Sequence, residues 1–157
     1  MVEEKKHKTV LASGVFDLIH LGHVRFLEKA KEAGGENVKL IVVVARDKTV
    51  EKTKGKPPIL PEEERRALVE SLKPVDMAVL GNDPFNVEDV IQKFKPDIIA
   101  FGYDQDKVEE EVKRYVEKEG LSIKTVRIQR FGPEELSSSS KIKSKILSEV
   151  KQLDKYF

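Results

Sequence analysis

The chain has 157 residues, 39% of them apolar, and 29 Lys+Arg against 28 Asp+Glu for a net charge of +1. That is the size of one domain with one sizeable core, and so even a charge balance advertises neither a nucleic-acid nor a membrane partner. Zero cysteines exclude disulfides, zinc–thiolate sites, iron–sulfur clusters and thiol catalysis, and no apolar run approaches the roughly 20 residues that span a bilayer.

The charged start, Met1 to His7, lacks the apolar stretch of a signal peptide, so a cytoplasmic protein is expected. A single domain over 1–157 follows, with 1–7 and about 154–157 as flexible ends. Residues 9–12 read as a first strand ending at Ser13 and Gly14. From Leu21, apolar residues at 21, 24, 27 and 30 keep helical spacing until Gly34 and Gly35. Residues 38–45 are almost wholly apolar and β-branched, as in a strand buried on both faces. A polar, lysine-rich loop over 46–60 is expected next, then a helix from Pro61 to about Leu72 with acids in its first turn.

Residues 77–80 form a third strand, and Asn86 caps a helix that runs through Phe94. Residues 97–101 are a fourth strand, 106–119 a charged helix closed by Gly120, and 121–128 a fifth strand. The final helix covers about 138–153, its apolar residues Ile142, Ile146, Leu147, Val150 and Leu153 predicting a docked face. This alternation predicts an α/β fold: a Rossmann-like five-stranded parallel sheet with helices on both faces. Ligands of such sheets bind beyond the carboxyl ends of the strands, near the topological switch point.

The first loop at that end reads Gly14-Val15-Phe16-Asp17-Leu18-Ile19-His20-Leu21-Gly22-His23 and holds two of the chain's three histidines. A helix start offers unpaired N–H groups and a positive dipole end. Gly22 lets backbone approach a ligand, and two imidazoles can donate to phosphate oxygens. Such a constellation suits phosphoryl or nucleotidyl transfer, where catalysis is mostly positioning and charge stabilisation. Lys52, Lys54 and Lys56 alternate in the Gly/Pro-rich loop and can fold over a triphosphate. Serines 138, 139 and 140 open the last helix, able to cap it or to present hydroxyls to phosphate.

Gly-Val-Phe-Asp-x-x-His-x-Gly-His resembles the signature of the cytidylyltransferase-like nucleotidyltransferase superfamily. The segment Ser138-Ser139-Ser140-Lys141-Ile142-Lys143 is similar to that superfamily's second motif. The resemblance implies a Rossmann-like enzyme that joins a nucleoside triphosphate to a phosphate-bearing acceptor and releases pyrophosphate. His20, His23 and Lys56 would then be catalytic, with Gly14, Val15, Phe16, Asp17, Gly22 and Ser138 to Ser140 around the nucleotide. Asp17 would either orient the loop or help to place a metal. Some relatives carry Thr at Val15, so an acceptor contact through that hydroxyl is absent.

Arg65 falls where the family has an arginine, with Arg66 as its neighbour. Another family arginine is matched by Arg130, or by Arg127, although Phe131 to Leu136 separates Arg130 from the serines. Together with the 46–66 segment, Phe101-Gly102-Tyr103-Asp104-Gln105 resembles the archaeal FAD synthase branch. Gly102, Asp104 and Gln105 would there meet the base or ribose. That branch implies AMP transfer from ATP to FMN, assisted by Mg²⁺ held mainly by substrate phosphates, in a homodimer. The alternative within the superfamily is a cytidylyltransferase using CTP and glycerol 3-phosphate or a similar phosphorylated alcohol.

Overall fold

The computed structural model describes residues 7–130 and 138–155, so the 131–136 spacer, Ser137 and most of the expected flexible ends lie outside the described residues. Five parallel strands, β1 (Lys8–Gly14), β2 (Val38–Val44), β3 (Met77–Leu80), β4 (Ile98–Phe101) and β5 (Lys124–Arg127), form one sheet in the order β3-β2-β1-β4-β5. The helices are α1 (Leu21–Glu32), α2 (Asp47–Lys54), α3 (Glu62–Glu70), α4 (Val87–Phe94), α5 (Asp106–Glu119) and α6 (Ser139–Leu153).

Two apolar layers explain why the inner strands read as unbroken hydrophobic runs. Val10, Leu40, Val42 and Val44 pack with Leu27 and Ala30 of α1 and Val69 of α3 on one face. Leu11, Ile41, Val43, Ile99 and Phe101 pack with Val90 and Ile91 of α4 and Val112 of α5 on the other. The chain winds outward from β1 to β3, then returns to the far side of β1. The switch point therefore lies between β1 and β4. There Gln105 Nε2 donates to the Ser13 carbonyl at 3.0 Å, and Gln105 Oε1 accepts from Gly102 N–H at 2.8 Å.

Three sequence expectations need correction. The 46–60 segment is not all loop: α2 occupies Asp47–Lys54, with a single buried apolar residue, Val50. One apolar contact gives no periodicity to read, though Asp47 in the first turn and Gly55 (φ 75°) as the left-handed cap are its start and stop signals. The fifth strand is shorter than 121–128, because this edge strand pairs only with the four residues of β4. The last helix is not docked along its length. Ile146, Leu147, Val150 and Leu153 remain about half exposed.

Candidate active site

Beyond the carboxyl ends of β1, β2 and β4 lies an open cavity of about 490 Å³. The loop from β1 to α1 forms its floor in an unusual backbone conformation, with Phe16 (φ 55°) and Leu18 (φ 49°) both in the left-handed region. Non-glycine residues rarely adopt it, and such strain persists only where neighbours over-determine it. Those neighbours are visible. A Cβ on Gly14 would stand 2.9 Å from the Phe16 ring, so only glycine lets Phe16 fold back and bury. The Phe16 ring lies 5.4 Å from that of His23, and His23 stacks on His20 with centroids 3.8 Å apart.

Asp17 ties this loop to two other walls. Its carboxylate accepts the N–H groups of Ile59 (2.8 Å) and Leu60 (3.0 Å), and Lys143 Nζ lies 3.4 Å from Oδ2. Ser139 Oγ donates to the Asp17 carbonyl. Burial works against ionisation of Asp17, yet these backbone and lysine bonds outweigh it and hold the carboxyl below its ordinary range. Asp17 is thus a brace. Its oxygens are engaged on the segment after α2 and on α6.

His23 Nδ1 accepts the His20 backbone N–H at 3.2 Å, which leaves the proton of the neutral ring on Nε2. Burial, then the neighbouring His20, pushes His23 down to about 4, and burial lowers His20 as well. Both rings are therefore neutral hydrogen-bond donors at pH 7. His20 Nδ1 is buried without a hydrogen-bond partner among the described residues. A stability consequence follows for His23. Its folded value lies below the unfolded 6.5, so the unfolded chain binds more protons between pH 6.5 and 4. The stabilisation is complete above pH 6.5 and about 3 kcal/mol of it is lost by pH 4. Urea titrations from pH 7.5 to 4.5 should show this loss, and His23→Asn should flatten the slope; equal slopes would show that His23 is not held neutral.

Helix termini carry the electrostatics. The first turns of α2, α3, α4 and α5 all contain Asp or Glu, whereas those of α1 and α6 contain none. These two helices present their first turns to the cavity, through His20, Gly22 and His23 and through Ser138, Ser139 and Ser140. Their positive ends are left for an anion. Lys54, Lys56, Arg130 and Lys143 line the same space. Ser138 Oγ accepts the Lys141 N–H at 3.2 Å, so that hydroxyl caps α6.

Most residues singled out from the sequence meet here: Gly14, Val15, Phe16, Asp17, His20, Gly22, His23, Lys56, Gly102, Asp104, Gln105, Arg130 and the three serines all line the cavity. Arg130 sits over the Tyr103 ring at 5.4 Å, while Arg127 is held on β5 by Glu109 and Asp106. Lys52 turns away toward Asp83, 3.8 Å distant. Arg65 stands apart from this group. It is fully buried, outside the cavity lining, and its guanidinium donates to Leu60 O (2.9 Å), Val15 O (2.7 Å) and Asp47 Oδ1 (2.7 Å). A side chain so enclosed props the loop from behind. Sequence reading missed Lys143, whose signal is its place one turn after Ser139.

Among the described residues, no group of three or more His, Asp or Glu side chains could hold a metal ion. With Asp17 engaged, Asp104 is the other carboxylate lining the cavity. These donors do not make a protein cage for a divalent cation. Among the described residues, no helix is long and apolar enough to cross a membrane.

Comparison with known proteins agrees with this geometry. Residues 11–145 match the family model described as cytidylyltransferase-like. An FAD synthase of Aciduliprofundum boonei is 46% identical over 92% of this chain and 93% of its own length. One of Ferroglobus placidus is 50% identical over 90% of this chain and 89% of its own. Among solved structures, a chain from Thermoplasma volcanium described as a lipopolysaccharide core biosynthesis protein is 42% identical, with a TM-score of 0.73. It covers 81% of this chain and 100% of its own length. Pantothenate synthetase from Thermus thermophilus is 16% identical at a TM-score of 0.59, over 83% of this chain and 58% of its own, and shares the fold alone. The chain belongs to the cytidylyltransferase-like family, in the branch that holds the archaeal FAD synthases.

Proposed function

We propose that the protein is an FMN adenylyltransferase, which transfers AMP from ATP to the phosphate of FMN and releases pyrophosphate. The carrying observation is that the only two helices among the described residues without acids in their first turns open onto one cavity beside His20 and His23. Together with relatives named FAD synthases, this favours FMN over a phosphorylated alcohol as acceptor.

An oxygen of the FMN phosphate attacks the α-phosphorus of ATP, and the bond from that phosphorus to the bridging oxygen of the β-phosphate breaks. Charge that gathers on the leaving pyrophosphate meets His23 Nε2–H, His20, Lys56 and the first turns of α1 and α6. These groups are already fixed, so they cost no reorganisation as the charge develops. Gly102, Asp104 and Gln105 flank the space for the base or ribose, and Arg130 over Tyr103 closes that side.

The divalent cation expected for this class, here Mg²⁺, would neutralise phosphate charge. With no protein cage, it would enter on the substrate. Chelation should therefore stop turnover but leave the melting temperature unchanged. A fall of several degrees on adding EDTA to the substrate-free protein would reveal a structural metal. We take the protein to act in the cytoplasm as a homodimer, with neither nucleic acid nor membrane as partner. The activity is tested by incubating the protein with FMN and either ATP or CTP, and with glycerol 3-phosphate and CTP, and separating products by chromatography. FAD should form from FMN and ATP. Turnover of glycerol 3-phosphate with CTP, and none of FMN, would overturn the reading.

A further inference from the structure

At the switch point the sheet breaks off in a way that the strand register defines. Strands β1 and β4 pair through Val10↔Ile98, Leu11↔Ile99 and Ala12↔Ala100, and the ladder then stops. Ile128 N–H donates to the Phe101 carbonyl, so Phe101 turns its backbone to β5 and the next residue, Gly102, turns to β1. Ala45 N–H donates to the Gly14 carbonyl, so Gly14 turns to β2 and Ser13 to β4. By this alternation the next rung would run from Gly102 N–H to the Ser13 carbonyl. A side-chain amide stands in its place. Gly102 N–H donates to Gln105 Oε1 at 2.8 Å, and Gln105 Nε2 donates to the Ser13 carbonyl at 3.0 Å.

Helix α5 does not account for this residue. Gln105 is its cap residue, yet the side chain makes no capping hydrogen bond, and glutamine is not among the types favoured there. The amide is turned back to the strands, where the loop that carries His20 and His23 parts from the loop that carries Tyr103 and Asp104. Both loops line the cavity. A direct rung would draw these two walls together, and a lost one would leave them free to move.

We infer that Gln105 is a positioning residue: its amide replaces one rung of the β1–β4 ladder, holds the crevice open at a fixed width, and so sets the histidine loop against the Gly102–Asp104 wall. The consequence for nucleotide rests on the activity proposed above, and the wedge itself does not. Loss of a wedge weakens ATP and CTP alike, whereas loss of a side chain that reads the base weakens one more than the other.

The amide has a titratable mimic. In Gln105→Glu the protonated carboxyl keeps both bonds, accepting from Gly102 N–H and donating its O–H to the Ser13 carbonyl. The carboxylate has no donor and faces that carbonyl, which holds its pKa above the ordinary range. The other ionisable groups around the position are Asp104 beside it, His20 and His23 on the opposite wall, and Arg130 after β5. Asp106 and Glu109 of α5 are paired with Arg127. All of them are present in the wild type, whose own pH curve subtracts them.

Calorimetric titrations with ATP and with CTP, from pH 5 to 8.5, compare the wild type with Gln105→Glu and Gln105→Met. Relative to the wild type at the same pH, Gln105→Glu should bind ATP within about twofold at pH 5 and about tenfold more weakly at pH 8.5. Gln105→Met, which fills the space but bridges nothing, should be about tenfold weaker throughout, with the ratio of ATP to CTP affinity unchanged. In the substrate-free proteins, the Gly102 amide resonance should titrate with the new carboxyl in Gln105→Glu and stay fixed in the wild type. A Gly102 resonance that ignores the carboxyl would overturn the wedge. Full affinity in Gln105→Met, or a loss in Gln105→Glu that does not recover at pH 5, would overturn its part in nucleotide binding. A changed ratio of ATP to CTP affinity would make Gln105 a reader of the base instead. A wild type that bound neither nucleotide would sink the proposed activity, and the Gly102 resonance would still decide the wedge.

Discussion

Replacing His23 by alanine should lower kcat for FAD formation by roughly 10² to 10³-fold, the cost of removing one donor aimed at developing charge. The KM for ATP should change far less, because the lost hydrogen bond strengthens only as charge moves onto the leaving pyrophosphate. The structure also says in which form His23 stands at neutral pH. Burial holds it down to about 4, and the His20 N–H occupies Nδ1, so at neutral pH it is an uncharged donor through Nε2. His23→Gln retains an amide donor on a neutral side chain and should recover part of the loss. A cationic role would instead leave glutamine as poor as alanine. The two roles also differ in pH dependence. A neutral donor gives no inflection near 6.5 in kcat, whereas a working imidazolium would give a basic limb there that vanishes in the glutamine variant. Unchanged turnover in His23→Ala would remove the ring from the mechanism altogether. Far-UV circular dichroism of each variant separates these effects from a loss of fold.

The sequence made the sheet legible because parallel strands buried on both faces must be apolar throughout, and Val38–Val44 is such a run. Helix α4 was equally plain: Asn86 accepts the N–H groups of Glu88 and Asp89, the cap its residue type announces. The site was legible for a topological reason. Once the strands are ordered, the loops at one end of the switch point must face each other, and the histidines and serines fall on those loops. What stayed hidden carried no periodic signal. Helix α2 buries only Val50, so nothing periodic distinguishes it from a solvated loop. The stripe on α6 has the spacing of a docked helix, and spacing cannot tell whether the cover comes from the same chain. Lys143 carries no signal by residue type in a helix with four lysines, and only the fold places it beside Asp17.

Arg65 is the sharpest case, because a guanidinium beside a phosphate-binding loop reads the same whether it holds phosphate or holds the loop. Arg65→Met should destabilise the protein by about 3–5 kcal/mol, the cost of removing one partner from a buried ionic network. For a chain of this length, that lowers the melting temperature by about 10 °C. The reason lies in what is left behind. Asp47 loses its 2.7 Å partner, and the carbonyls of Val15 and Leu60 lose their donors inside the protein. Lysine should not rescue the loss, since three acceptors in different directions need the planar fork of arginine. Asp47→Asn should cost less, and adding it to Arg65→Met should cost less than the sum, because the two side chains share one bond. Arg66, half-buried and paired with Glu63 and Glu70 on the helix surface, should tolerate alanine with its melting temperature nearly unchanged. A residue that gripped the nucleotide would give the opposite pattern: an unchanged melting temperature and a raised KM for ATP. Thermal melts of the substrate-free variants therefore decide between the two roles. The carbonyl of Val15 ties the result to the active site, because the strained turn at Phe16 and Leu18 is held from behind by that bond. Any Arg65 variant that still folds should bind ATP more weakly for want of a fixed loop.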